Sequence, residues 1–475
     1  MNHLAWIKPD VQDTELKNQQ SLPLRINKVT VNQNPVEDVK ITANTATNLL
    51  LSEKFYQSLL QPILEQPIQN AHNTIEQLKI IQNKIYQTGL FEHVEFKVDI
   101  DKLGQPSPVS GSPNGLLPTP LPVSTTINLF PKVLNEYFLT TSLSTANLNN
   151  NEIVLNSIKY NTLGKAEKLL YTLGLKYDLD SNSFKSSLAK AQFLFPLPKN
   201  PSINGVFALN YINSDRLFND DKHFNFSLGL LKHWKSCELF GGLAFTRRSV
   251  GDASKTSLVG SYIKDKRFFV GMLPVQGSYI EVNNDLVFAQ TRNGNIENNN
   301  ANYNKFNMKL DLYKSWMNNA LTSSLETSFG AIASTAAAGN TLIVEKEDQL
   351  DFPNLKGFQY QTKSIKDLGA LNCKAALSCK LPFQNKLSPL RFQMFTSFNQ
   401  MFNPAASSSA NNRNSVGTMC GGLLQKDRLY SSYGCSLIYK TELADLDLSY
   451  SIPVSNNNSS IAAPGFSVGC ALSFY

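Results

Sequence analysis

The chain has 475 residues, 42% hydrophobic and 17% charged, with a formal net charge of +7 and a mean hydropathy of −0.22. That length holds two domains, or one large barrel with an accessory module. No run approaches eighteen apolar residues, which excludes a spanning helix but not a spanning barrel, whose strands give lipid only every second residue. The opening residues, 1–10, lack a basic stretch followed by an apolar core and lack an Arg-rich bias, so neither a secretory leader nor a matrix-targeting segment is expected. The positive charge is spread without a basic block, which suits anionic lipid or acidic partners and gives no indication of nucleic-acid binding. Six cysteines (Cys237, Cys373, Cys379, Cys420, Cys435, Cys470) form no CxxC pair and no zinc spacing with histidine. They read as small hydrophobes, and no metal or other cofactor is expected.

Residues 1–21 are polar and read as a flexible N-terminus. Residues 22–134 have the pattern of a small α/β module. Leu24 to Val31 suits a strand. Leu51, Phe55, Leu59 and Ile63 recur every four residues as one helical face, with Pro62 disturbing its end. Thr74-Ile75-Glu76-Gln77 has capping-box spacing and predicts a second helix with the stripe Ile75, Leu78, Ile81, Ile85, ended by Gly89. The period then switches to two: Val94, Phe96, Val98 and Ile100 alternate with charged residues. A Pro-rich stretch at 102–123 has no period and reads as an insertion, and Thr125 to Phe130 supplies a last strand.

From 135 to 475 no helical pattern remains. About fifteen alternating runs of roughly ten residues follow, the length that a tilted membrane strand needs. A soluble sandwich is the competing fold, but so many long strands without a linker favour a barrel. The last strand carries Phe466, Val468, Cys470, Leu472 and Phe474 on one face and Ser467, Gly469, Ala471 and Ser473 on the other. The first, Tyr137 to Ala146, has only Leu139 and Leu143 as main apolar residues, and so thin a face specifies register weakly. It reads either as a poorly patterned strand or as one side of a weak seam. The five histidines (His3, His72, His93, His223, His233) have no nucleophile or acid at a telling spacing. No triad, metal box or nucleotide motif is present, and an enzyme is not expected.

Several segments carry a resemblance. Asn161 to Lys168 looks like a family segment entering a second strand, and Lys314-Ser315-Trp316-Met317-Asn318 like the run before a long loop. Leu355-Lys356-Gly357-Phe358 sits where that loop has Val/Ile-Arg-Gly-Phe/Tyr. Tyr433-Gly434, Leu446 to Pro453 and Gly465 to Phe474 match the closing strands in order. The chain resembles the barrel subunit of the mitochondrial sorting and assembly machinery, in the POTRA-plus-barrel superfamily. This implies a mainly β fold, a 16-stranded antiparallel transmembrane barrel behind an N-terminal α/β POTRA domain. It also implies a mitochondrial outer-membrane location, with the POTRA domain facing the intermembrane space.

The activity so implied is insertion of β-barrel precursors through a lateral gate between first and last strands, at Leu139, Leu143, Gly465, Phe466, Gly469, Leu472 and Phe474. A POTRA-bearing channel or polypeptide translocator is the alternative, and a soluble β-rich binding protein a third. Ser467, Gly469, Leu472 and Phe474 meet the polar-x-Gly-x-x-hydrophobic-x-hydrophobic sorting signal of such barrels. Lys356 stands where arginine is usual. Lysine offers one compact charge in place of a planar fork, and Asp445 and Asp447 are its candidate partners. The implied partners are barrel precursors, accessory subunits of the complex, membrane lipid, the general import pore and the inner-membrane organising complex.

Overall fold

The computed structural model describes residues 23–33, 50–101, 120–144, 151–178, 183–216, 219–249, 252–292, 295–296, 302–334, 350, 355–356, 358, 368–381, 389–402, 429–455 and 464–474. The N-terminal tail, most of the Pro-rich insertion, Gly357 and Cys420 lie outside them. The chain divides into two units, one of 1–136 with 158–169 and 194–204, the other of the remaining residues.

The first unit holds β1 (Pro23–Gln33), α1 (Glu53–Glu65), β2 (Ile68–Asn70), α2 (Ala71–Gln87), β3 (Phe91–Ile100) and β4 (Leu121–Pro131). The sheet order is β2-β1-β4-β3, with β1 and β4 parallel and the other neighbours antiparallel. Leu59, Ile63, Ile81, Ile85, Ile127 and Leu129 are buried between helices and sheet. Three expectations shift. Pro62 lies inside α1, which runs on to Glu65. The helix α2 starts at Ala71 behind Asn70, so Thr74 is no cap. Its hydroxyl donates to the Asn70 carbonyl at 3.2 Å within the first turn. The buried stripe is accordingly Thr74, Leu78, Ile81 and Ile85, and Ile75 is exposed. The strand β4 begins inside the stretch taken as insertion.

Residues 161–167 also belong to this unit. Ser52 N–H donates to the Gly164 carbonyl at 2.7 Å, and Ala166 is buried in the same core. The carboxylate of Glu167, itself buried, accepts from the Leu163 and Lys165 amides. Asn161 and Ala166 have positive φ of 57° and 59°, and the Asn161 side chain bonds the Leu50 carbonyl and the Ala166 amide.

The second unit is a closed barrel. Its strands are β5 (Asn135–Ser144), β6 (Asn151–Tyr160), β7 (Lys168–Asp178), β8 (Ser183–Leu197), β9 (Asn200–Arg216), β10 (Asn219–His233), β11 (Cys237–Arg248), β12 (Ser254–Asp265), β13 (Phe268–Val270), β14 (Leu273–Arg292), β15 (Asn295–Ile296), β16 (Tyr303–Trp316), β17 (Leu321–Ser334), β18 (Gly369–Cys379), β19 (Leu390–Phe402), β20 (Leu429–Lys440), β21 (Ala444–Ser455) and β22 (Gly465–Phe474). The short β13 and β15 are hairpin extensions of β14, which leaves sixteen antiparallel strands round the wall. Closure gives every strand of the wall a neighbour on both sides, as a wall in hydrocarbon requires.

Cross-strand register sets the two faces. Leu230, Leu243, Leu258, Met308, Leu325 and Leu448 are exposed on the outside, whereas Asp311, Ser324, Asn372, Gln393, Ser432 and Ser436 are buried on the inside. This is the apolar-out, polar-in alternation of a barrel in lipid.

Candidate functional site

The barrel closes between β22 and β5. Among the described residues, which on β5 end at Ser144, six pairs join them, from Gly469 opposite Ser144 to Phe474 opposite Leu139. Outward pairs at the seam are Leu472 with Thr141 and Phe474 with Leu139, and in the backbone register Cys470 lies opposite Leu143. Thr141 interrupts the apolar face on the β5 side. Gly465 and Phe466, also expected at the gate, have their described partners on the β21 side. They pair with Ser451 and Tyr450 of β21, where the Tyr450 and Phe466 rings meet at 4.9 Å. On the same junction the Ser449 and Ser467 hydroxyls share a hydrogen bond of 2.6 Å. The closing strand is thus held by ring and hydroxyl pairs on its β21 edge and, among the described residues, by six backbone pairs on its β5 edge.

Inside the wall lies a lysine contact. Lys356 Nζ reaches Asp447 Oδ2 at 2.5 Å and donates to Ser436 Oγ at 3.2 Å. The same amine sits 5.2 Å from the centroid of the Phe395 ring. Two residues on, Phe358 meets Tyr430 edge-on at 5.6 Å, and its amide donates to the Leu355 carbonyl at 3.2 Å in a tight turn. Leu355 and Phe358 are both buried. The segment is therefore fixed to β19, β20 and β21 by one charge and two apolar side chains. Of the two acids named from sequence, Asp447 takes the lysine. Asp445, two residues nearer the strand's start, pairs with Lys440 at 3.1 Å instead.

Sequence reasoning missed Phe395, Ser436 and Tyr430, because a luminal contact depends on which strands face one loop. It also missed the charges beside the contact. Lys309, Asp311, Glu326, Lys356 and Lys374 line a cavity of about 270 Å³. Lys309 bridges to Asp311 at 3.4 Å and Lys374 to Glu326 at 3.6 Å. The inward parity of these residues on strongly alternating strands was the available signal.

Asp447 connects latch and seam. It lies opposite Gly469 on the closing strand, so the side chain that receives Lys356 is one strand from the closure. A Cβ at Gly469 would meet nothing nearer than Asp447 Cβ and O at 3.9 Å.

A model of the Omp85 superfamily domain matches residues 137–474, from the first strand of this wall to the last. The chain belongs to the Omp85 superfamily. As an Omp85 barrel it is a transmembrane protein of an outer membrane. Among solved structures it is similar to BamA from Haemophilus ducreyi lacking POTRA domains 1–3. The TM-score is 0.65 at 12% identity, over 95% of this chain and 85% of that one. It is also similar to CdiB from Acinetobacter baumannii, with a TM-score of 0.55 at 10% identity, over 95% and 74%. At these identities the likeness concerns the fold. No curated protein matches the sequence.

Proposed function

We propose that this Omp85 barrel inserts and assembles β-barrel precursors in the mitochondrial outer membrane, by pairing a precursor's C-terminal strand at the β5–β22 seam. The pairing of the first strand of the wall with the last carries the reading. A strand in hydrocarbon must keep its backbone groups paired, and the β5–β22 junction, where strands far apart in sequence meet and Thr141 interrupts the apolar face opposite Leu472, is where an incoming strand can exchange with an existing one. The incoming strand replaces one set of ladder hydrogen bonds with another, which is strand addition without covalent chemistry. The mitochondrial setting and the POTRA assignment of the α/β unit rest on the motif resemblance: the Asn161–Lys168 turn, the loop motif at Lys356 and the closing-strand signal at Ser467, Gly469, Leu472 and Phe474. Accessory subunits that receive or release precursors belong to the same proposal.

The register supplies the test. Cys470 lies opposite Leu143, and directly opposed antiparallel residues have Cα separations of about 4.5–5.5 Å, within disulfide reach. In a background with the other cysteines replaced by serine, Leu143→Cys should form a disulfide with Cys470 on oxidation. Precursor insertion by the reconstituted protein should then fall to background and recover on reduction. Undiminished insertion by the locked barrel would exclude the seam as the gate. A passive conduit would conduct polypeptide equally in both states.

A further inference from the structure

Two strands of the barrel end in the same way. The outward column of β10 runs Phe224, Phe226, Leu228, Leu230 and then Lys232, with Trp234 just beyond; that of β16 runs Phe306, Met308, Leu310, Leu312 and then Lys314 and Trp316. In each the lysine lies over the tryptophan, at 4.7 Å for Lys232 and 5.8 Å for Lys314. Between them β12 ends its outward column in Tyr262 and Lys264, since Lys264 lies opposite Cys237 and Tyr262 opposite Leu239. All three amines stand at the end of the barrel that carries the short β10–β11 and β16–β17 turns.

Lysine and tryptophan at the end of an apolar column mark the boundary of the hydrocarbon. The ring sits at headgroup level, and the amine extends along it toward water. The nearest acids are turned away from this surface. Glu238 and Asp265 have the opposite parity and are engaged by His233 at 3.2 Å and Arg267 at 2.6 Å. Between Phe224 and Trp234 on β10, and between Phe306 and Trp316 on β16, no acid shares the outward face. The three lysines stand on every second strand, about 10 Å apart at the usual strand spacing. Counted from β5 round the wall, β12 is the eighth of sixteen strands, so the arc lies opposite the seam.

We infer that the β10–β16 rim is a docking surface for anionic phospholipid headgroups. Lys232, Lys264 and Lys314 contact the phosphates, and Trp234 and Trp316 set the depth. Uncompensated amines at headgroup level attract acidic lipid over zwitterionic lipid. Holding the far wall in the membrane leaves the seam as the side free to move.

The full chain carrying Trp6→Phe retains Trp234 and Trp316 as its tryptophans, and their fluorescence reports the lipid beside them. It is reconstituted in phosphatidylcholine vesicles containing an equal fraction of acyl-brominated lipid, either phosphatidylcholine or phosphatidylglycerol. Brominated phosphatidylglycerol should quench more strongly. The excess should disappear in Lys232→Gln/Lys264→Gln/Lys314→Gln, while quenching by brominated phosphatidylcholine stays unchanged and shows the barrel inserted. Equal quenching by both lipids in the parent, or an excess surviving the triple change, would overturn the inference. Should the triple variant not insert, the parent in high salt decides: the excess should collapse, and its persistence counts against headgroup charge. No precursor is present, so the outcome is independent of the insertion activity.

Discussion

At Lys356 a single side chain carries the tie between loop segment and wall, and its surroundings determine what a substitution does. The amine and its partner Asp447 are each about a quarter to a third exposed, and the second Asp447 oxygen is buried without a partner among the described residues. Lys356→Met should therefore destabilise the luminal contact by about 1–2 kcal/mol, reduced from the cost of a fully buried orphan by solvent screening. Lys356→Arg should retain most of it, because the guanidinium also stacks on Phe395. A double-mutant cycle of Lys356→Met and Asp447→Asn, read by protease accessibility of the segment, should show coupling. The same cycle with Asp445→Asn should show none, since that carboxylate faces Lys440. Two glycines divide on equally local grounds. A Cβ at Gly434 would lie 2.1 Å from the Tyr450 carbonyl and 3.0 Å from the Phe395 ring that underlies Lys356, whereas Gly469 leaves ordinary clearance. Gly434→Ala should impair folding yield in detergent, and Gly469→Ala should leave it near the parent level.

At the scale of elements, helix ends and strand patterns have different legibility. Gly89 is readable from sequence as the stop of α2, and the structure gives it a φ of +71° and an amide bonded to the Tyr86 carbonyl. Gly89→Ala should cost roughly 1–2 kcal/mol, the left-handed penalty for a residue with a Cβ. Hydrogen exchange in the last turn of α2 should report it. The start of that helix was misplaced because Thr74 and Gln77 have the spacing of a capping box, and the sequence does not show that Asn70 already leaves a strand there. Ile75 was misassigned for the same reason, since shifting the start rotates the stripe. On β5 the weakness lies in Thr141, an outward polar residue opposite Leu472. Thr141→Val should extend the apolar face, slow exchange of the β22 amides and lower the rate of precursor insertion without unfolding the barrel.

Across the whole molecule the two units differ in what holds them. The first is a small hydrophobic core between two helices and four strands. The second is a closed ladder of hydrogen bonds whose outside is solvated by lipid or detergent. Guanidinium unfolding in detergent should accordingly show two transitions. Far-UV circular dichroism at helix wavelengths should lose α1 and α2 first, and the fluorescence of Trp234 and Trp316, both in the barrel, should change only at higher denaturant. Coincident transitions would mean that the units unfold as one.

Period-two alternation over most of the chain marked the strands by itself, because side chains in a strand alternate between faces whatever the partner strand is, and their number without a linker favoured a barrel over a sandwich. The switch from helical period to alternation near Phe91 marked the α/β unit for the same local reason. Residue types alone also marked the thin face of β5 and the lysine of the loop motif. Only the tertiary structure decided which residues meet. It placed Asp447 and not Asp445 against Lys356, and set the lysines of β10, β12 and β16 on one arc. Register between strands far apart in sequence settles such contacts, and a one-residue shift would have turned each side chain to the other face.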